Sequence, residues 1–297
     1  MKLVIQIFCL PYEIDDLENT LNQLRRASKY IDKTNEWILD VCMCTSDDMV
    51  NWSKSSLPKK YFEERFLKLS WQTDWCIKNF HTSDDIKGCV SHRRHCLLKH
   101  EHTQYFFWLD TDIIFDERTL SYMEKALQPI WDITPLNIIT PEFVRIWDNT
   151  WDVLVNDGFI KEKLGYQEKA NPYLDSGIKG DISIERVENV NSPQSRFKFA
   201  GGWFTCISGR LLRKIGVPES FGHYGWEDTF IMVACEKLMR IGNDDIQQFK
   251  LKNLVVCENY KYRNNSHYLN NLSVYDRRQE FKQIAESNVE KELEKIK

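Results

Sequence analysis

The sequence lacks any apolar run approaching the roughly 20 residues that a membrane span requires. Its first apolar run is short and stops at Pro11, so it does not read as a secretory leader either. A cytoplasmic protein with no integral membrane segment is the expectation. Internal repeats, coiled-coil heptads and low-complexity tracts are missing. So is an excess of positive charge: the formal net charge of −4 excludes a basic nucleic-acid binder as a whole chain. No glycine stands in Leu10–Ile14, directly after the first apolar run, where a phosphate-gripping loop would be.

The nine cysteines are an odd number, and Cys9, Cys42, Cys44, Cys206 and Cys257 sit in apolar, strand-like runs. Buried reduced thiols fit that placement better than a disulfide framework. His92, His95, Cys96 and His100 lie close together, and His92 and Cys96 are spaced to share a metal on a helix. No second pair stands at zinc-finger spacing, so a partly buried helix with ordinary polar contacts is the simpler reading. Lys59-Lys60 reads as a solvated face.

What is present supports a sizeable core, with 42% hydrophobic and 13% aromatic residues. Leu3–Cys9 and Trp37–Cys44 read as buried strands, with a helix between them that begins at Asp15 or Asp16 and buries Leu17, Leu21 and Leu24. Residues 49–70 show no clean period. Asp84-Asp85 opens a predicted helix through Lys99, and Tyr105–Leu109 is the next strand. Strand–helix alternation of this kind marks a parallel α/β sheet. A helix from about Asp116 to Leu127 is expected to stop at Pro129, and Leu136–Thr140 to form a strand. Residues 145–198 read as loop-rich, Phe199–Ser208 as a strand and Gly209–Ile215 as a helical turn. From about Val274 the chain reads as a charged helical tail with few core residues.

The stretch Tyr105–Phe115 carries the chemistry. An apolar run of five residues leads straight into Asp110 and Asp112. Ligands of open α/β sheets bind outside the carboxyl ends of the strands. Two acids one residue apart at that place can hold a hard divalent cation and a phosphate-bearing ligand. A surface turn is the alternative reading. A second constellation follows at 199–230. Gly201 and Gly202 permit close approach of a backbone, and Gly225-Trp226-Glu227-Asp228 precedes the apolar run Phe230–Ala234. That places two acids at a helix start, where they are stabilised as anions.

In this order, Pro11-Tyr12, a helix near Lys87–Lys99, Asp110-x-Asp112, Gly201-Gly202-Trp203-Phe204 and Gly225-Trp226-Glu227-Asp228 resemble the GT-A glycosyltransferases of the large inverting family. The resemblance runs from residue 3 to about 235. It implies a GT-A-type, Rossmann-like, mostly parallel central sheet flanked by helices, with a loop-rich acceptor side and a helical C-terminal tail. It implies one catalytic domain over 1–273, split into a nucleotide-binding half (1–112) and an acceptor half (113–273), with 274–297 as the tail.

The activity implied is transfer of a sugar from a nucleotide sugar, UDP-linked, to an acceptor hydroxyl with inversion. Mn²⁺ or Mg²⁺ would be held by Asp112, with Asp110 on the metal or ribose and His267 completing the shell; His223 is the competitor. Asp228 would be the base and Glu227 would orient hydroxyls. Pro11 and Tyr12 would border the nucleotide base, Asp47 or Asp48 would accept from uracil, and Arg93 or Arg94 would meet a phosphate. Trp203 and Trp226 offer faces to a sugar ring, or simply pack. The family often carries a further acid after its first metal Asp, where this chain has Ile113 and Ile114.

The expected acceptor is a glycan or glycoconjugate, bordered by residues 145–198. A hydroxymethylated base in phage-type DNA is the alternative, and predicts a basic face at Lys54–Lys60 and Arg93–Arg94. A metal-dependent nucleotidyltransferase or a non-catalytic sugar-binding module are the competing classes.

Overall fold

The computed structural model describes residues 1–50, 52, 57–144, 176–187, 197, 200–242, 244–259 and 272–296. Nine strands form one sheet among them: β1 (Lys2–Cys9), β2 (Glu36–Cys44), β3 (Ile77–Ser83), β4 (Tyr105–Leu109), β5 (Ile113–Ile114), β6 (Asn137–Val144), β7 (Gly177–Arg186), β8 (Phe204–Ser208) and β9 (Gln247–Glu258). Their order is β3-β2-β1-β4-β8-β6-β9-β5, with β7 also on β9. The helices are α1 (Ile14–Ala27), α2 (Lys59–Trp71), α3 (Cys89–Lys99), α4 (Thr119–Ile133), α5 (Gly209–Ile215), α6 (Glu227–Gly242) and α7 (Leu272–Glu294).

The expected α/β sheet flanked by helices forms. Its first half is parallel throughout (β3, β2, β1, β4), and antiparallel ladders enter with β8, β7 and β5. β8 runs against both β4 and β6, and β9 runs with β6. The carboxyl ends of β1, β2, β3, β4, β6 and β9 therefore all emerge on one edge. Tyr105, Phe106, Phe107 and Trp108 are each at most 1% exposed, because β4 is covered on both faces. Burying aromatic chains of that size contributes roughly 1.5–3 kcal/mol each. All nine cysteines are free thiols.

Several elements depart from the sequence reading. α2 falls in the stretch without a clean period and buries only Phe66, Leu69 and Ser70, and β3, for which no element was expected, is a half-exposed edge strand. The helix expected from Asp84 starts at Cys89, since Ser83 Oγ ties the Asp85 and Ile86 amides into a turn first. α4 runs through Pro129 to Ile133. Pro129 and Lys125 both lie on the exposed face of the helix, where the carbonyl that proline leaves unpaired is least costly. Within 145–198, the described residues 177–186 form β7 rather than loop. α7 docks Phe281 and Ala285 into the core, deeper than a charged tail suggests.

Candidate functional site

The edge where those carboxyl ends emerge gathers most of the residues singled out from sequence. Pro11–Glu13 forms a 3-10 turn straight after β1. Asp110 follows β4, and its amide donates to Trp203 O at 3.1 Å, which brings Gly201–Trp203 alongside. The strand expected from Phe199 starts at Phe204, because the backbone before it bends to meet a side chain of α3.

That side chain is Arg93, 5% exposed. Its guanidinium pairs with Glu227 at the start of α6, stands 3.5 Å from Asp110 Oδ1, donates to Gly202 O at 3.3 Å and lies 4.3 Å above the Trp108 ring. Gly202 is required here: a Cβ on it would fall 2.0 Å from Arg93 Nη2. Burial works against the charge on Arg93, but Glu227, Asp110 and Asp228 hold it firmly protonated.

Gly225 and Trp226 both adopt left-handed backbone, with φ of 88° and 67°. For a tryptophan that conformation costs on the order of 1–3 kcal/mol. The Trp226 carbonyl then accepts the first α6 bond from the Phe230 amide at 2.7 Å. The turn thereby sets Glu227 and Asp228 at the head of the helix, with Glu227 on Arg93. Asp228 accepts from the Thr229 amide at 2.7 Å. Burial, then the neighbouring Glu227 carboxylate, push its carboxyl up to about 7 against the pull of Arg93. A carboxylate poised there is suited to take a proton near neutral pH.

Asp112 faces a different environment. Burial raises its carboxyl well above the ordinary range, and Glu258, Asp110, Glu13 and Asp16 raise it further. Glu258 arrives at the end of β9, where it pairs in register with Ile113 of β5. Asp110 is likewise raised by burial, although Arg93 and Arg278 oppose the shift. Like charges converging on one recess need a counter-charge, and an all-oxygen donor set is what Mg²⁺ or Mn²⁺ takes. Asp110, Asp112 and Glu258 supply oxygen donors of the type such an ion takes.

Arg278, from α7, supplies a buried cation on the same side. It stands 3.4 Å from Glu13 Oε1 and 4.9 Å from the Tyr224 ring, and its charge reaches Tyr12 and Asp110. Sequence reasoning missed Glu13, Glu258 and Arg278. Glu13 beside Pro11-Tyr12 and Glu258 at a strand end were legible signals; Arg278 in the polar tail carried none.

Other predicted residues lie apart from this group. Asp47 is exposed on the turn after β2. Asp48 is bound to Lys87 at 2.6 Å and Arg277 at 3.3 Å. Burial would raise Asp48, but those cations and Ser46 bring it to about 2. Arg94 turns away and donates to Pro218 O and Gly222 O at 2.9 and 3.1 Å. Trp203 stacks on Phe143, with centroids 4.3 Å apart. Trp226 packs on the core beneath α6, and its indole nitrogen finds no hydrogen-bond partner among the described residues. His223 packs on Phe281 at 4.9 Å, with Lys87, Arg94 and Asp48 around it rather than the acids near Asp112. His267, and residues 145–175, 188–196 and 198 of the acceptor-side expectation, lie outside the described residues. Of the basic face expected for a DNA acceptor, Lys54 lies outside the described residues, Arg93 is buried, and Lys59 and Lys60 stand near Asp84 and Glu64.

No family profile and no curated protein sequence matches the chain. Solved structures do match its fold. GalNAc-T7 in complex with UDP, GalNAc and Mn²⁺ superposes at TM-score 0.50 and 12% identity, over 87% of this chain and 44% of that one. The fold is of the GT-A type. The mannosyltransferase PcManGT from Pyrobaculum calidifontis, with GDP-Man and Mn²⁺, gives 0.49 at 13% identity over 97% and 69%. TarS from S. aureus gives 0.42 at 14% over 84% and 36%. The chain thus spans less than half the length of GalNAc-T7 and little more than a third of TarS. No helix among the described residues is long and apolar enough to cross a membrane.

Proposed function

We propose that the chain is a metal-dependent glycosyltransferase, moving a sugar from a UDP-linked donor to a hydroxyl of a glycan or glycoconjugate with inversion. One observation carries the reading. Two sets of acids meet at the carboxyl edge of the sheet, with the Arg93 guanidinium between Asp110 and Glu227: Asp110 and Asp112 after β4, and Glu227 and Asp228 at the head of α6, where the Asp228 carboxyl is raised to about 7. The GT-A fold shared with GalNAc-T7, whose structure holds UDP and Mn²⁺, supports the donor class.

In this reading Asp112 and Asp110, with His267 from the later segment, hold Mn²⁺ or Mg²⁺. The ion supplies Lewis-acid stabilisation of the departing diphosphate. Pro11 and Tyr12 border the nucleotide base, and Gly201-Gly202 let the main chain approach the donor. Asp228 takes the proton of the attacking hydroxyl as the glycosidic bond to the diphosphate breaks on the opposite face. Glu227 is engaged by the Arg93 guanidinium and so is not free to take that proton. It positions Arg93 and, through it, Asp110. Residues 1–112 form the nucleotide side and 113–273 the acceptor side of one domain.

The test is a panel of nucleotide sugars assayed for hydrolysis and transfer with and without Mn²⁺. Metal-dependent turnover of one UDP-sugar, giving product of inverted anomeric configuration by NMR, is the expected result. Retention of configuration rejects Asp228 as the base, and full activity in EDTA rejects the metal.

A further inference from the structure

Beneath α3, apart from Asp110 and Asp112, lies a second polar centre. Gln6, Asp40 and Asn79 stand in register across β1, β2 and β3, and His81 follows two residues after Asn79 on the same face. α3 lays His92, Cys96 and His100, spaced every four residues, over this row. Asp40 is fully buried. Its Oδ1 lies 2.9 Å from His92 Nε2 and 3.9 Å from His81 Nδ1. Its Oδ2 accepts from His100 Nε2 at 2.9 Å and from Asn79 Nδ2, with Lys99 Nζ at 3.7 Å. Cys96 Sγ is 3.3 Å from His92 Nε2, and the His95 ring lies 5.4 Å from that of His81.

Two features are unexplained by ordinary polar packing. Neither ring nitrogen of His81 has a hydrogen-bond partner among the described residues. Nor does either amide atom of Gln6, which is 3% exposed and in register with Asp40. Buried polar atoms are normally satisfied, and orphans grouped around one carboxylate point to a missing partner.

We propose that Asp40, His81 and His92 form a site for a zinc-class divalent transition metal, separate from Asp110 and Asp112. Their ligating atoms lie within 4.8 Å of one another. Bonds of about 2.0–2.1 Å in a tetrahedron place neighbouring ligands about 3.3 Å apart, and the observed 2.9 and 3.9 Å straddle that spacing. Two imidazoles select zinc or cobalt over Mg²⁺. His100 and Asn79 fix the second Asp40 oxygen, as outer partners do in metal sites. The ion pins α3 to β2 and β3, one residue before Arg93. It requires nothing of the glycosyl chemistry and stands or falls separately from it.

The test uses the metals alone. The Asp110→Asn/Asp112→Asn chain, stripped with a chelator, is titrated with Co²⁺ and then Zn²⁺. One equivalent of Co²⁺ giving the intense visible absorption of four-coordinate cobalt, displaced by one equivalent of Zn²⁺, is expected. His81→Gln in that background should weaken zinc about a hundredfold or more, while the metal-free melting temperature changes little because neither ring nitrogen of His81 has a hydrogen bond to lose. Should the background variant fold poorly, the unsubstituted chain in excess Mg²⁺ serves instead, binding one zinc that His81→Gln removes. No stoichiometric binding, a weak six-coordinate cobalt spectrum, or affinity indifferent to His81→Gln overturns the site.

Discussion

Replacing Arg93 by Met removes a buried cation shared by Glu227 and Asp110. Met keeps much of the apolar stem but offers no charge. Glu227, 4% exposed, is then left as an uncompensated anion. Removing one partner of such a pair costs about 3–5 kcal/mol. For a chain of this length each kcal/mol moves the melting temperature by about 2 °C, the low end of the scale for large domains. The expected drop is roughly 6–10 °C. The decisive measurement is a double-mutant cycle. Glu227→Gln in the Arg93→Met background removes the stranded charge, so it should recover about 1–3 kcal/mol, although Glu227→Gln alone destabilises. The pH dependence has a definite sign. Asp110 and Asp228 already have folded values above their unfolded ones, so they favour the folded state at low pH and cost stability as pH rises through the raised values. Losing Arg93 raises them further, so the deficit should shrink between pH 7 and pH 5. Thermal or urea unfolding at both pH values reads all of this. An Arg93→Met chain that melts with the parent, or one that Glu227→Gln makes worse by the full single-mutant amount, would refute the argument.

Gly202→Ala drives a methyl into the Arg93 guanidinium, which is tied on several sides, and should cost about 1–3 kcal/mol and most of the activity; unfolding midpoints and turnover check both. Asp228→Asn keeps its size but cannot take the proton, so turnover should fall by about a hundredfold or more while UDP binding by calorimetry persists. The rising limb of kcat/KM against pH should have its midpoint near 7, where the Asp228–Glu227 pair loses its proton; a limb centred near the ordinary aspartate range would contradict the assignment. His267→Ala should weaken Mn²⁺ binding without lowering the melting temperature of the metal-free chain, measured by titration and by thermal unfolding.

The parts legible in sequence were those whose local pattern and tertiary placement agree. β4 reads as a buried strand because both its faces are covered, and Asp110 stands at its end because the run simply stops there. Gly202 was legible as a place of close backbone approach, though not the group that approaches. That group is Arg93, 109 residues away in sequence: nothing between residues 93 and 202 encodes their contact, which follows from β4 lying between β1 and β8. The pairing of Arg93 with Arg94 in sequence suggested a shared basic face, yet neighbours on a helix point about 100° apart. One enters the acid cluster and the other seals the turn at Pro218–Gly222.

The least legible contribution is α7. Its buried residues Arg278, Phe281 and Ala285 recur at intervals of three and four, but the polar residues between them dilute the signal, and a buried arginine counts against a core face in any hydropathy reading. Burial of Arg278 is possible only because Glu13 and the Tyr224 ring are already fixed opposite it, one by the turn after β1 and the other by the turn before α6. The helix is therefore specified by the site rather than by its own periodicity. It follows that shortening the chain before Arg278 should disturb the nucleotide side even though no catalytic acid is removed: Glu13 and Asp110 would both lose a cation that now opposes their raised carboxyls. Arg278→Gln isolates that effect from the loss of the Phe281 and Ala285 contacts. If the cation matters in its own right, Arg278→Gln weakens UDP binding while leaving the helix docked; if only docking matters, Phe281→Ala is the damaging change and Arg278→Gln is silent.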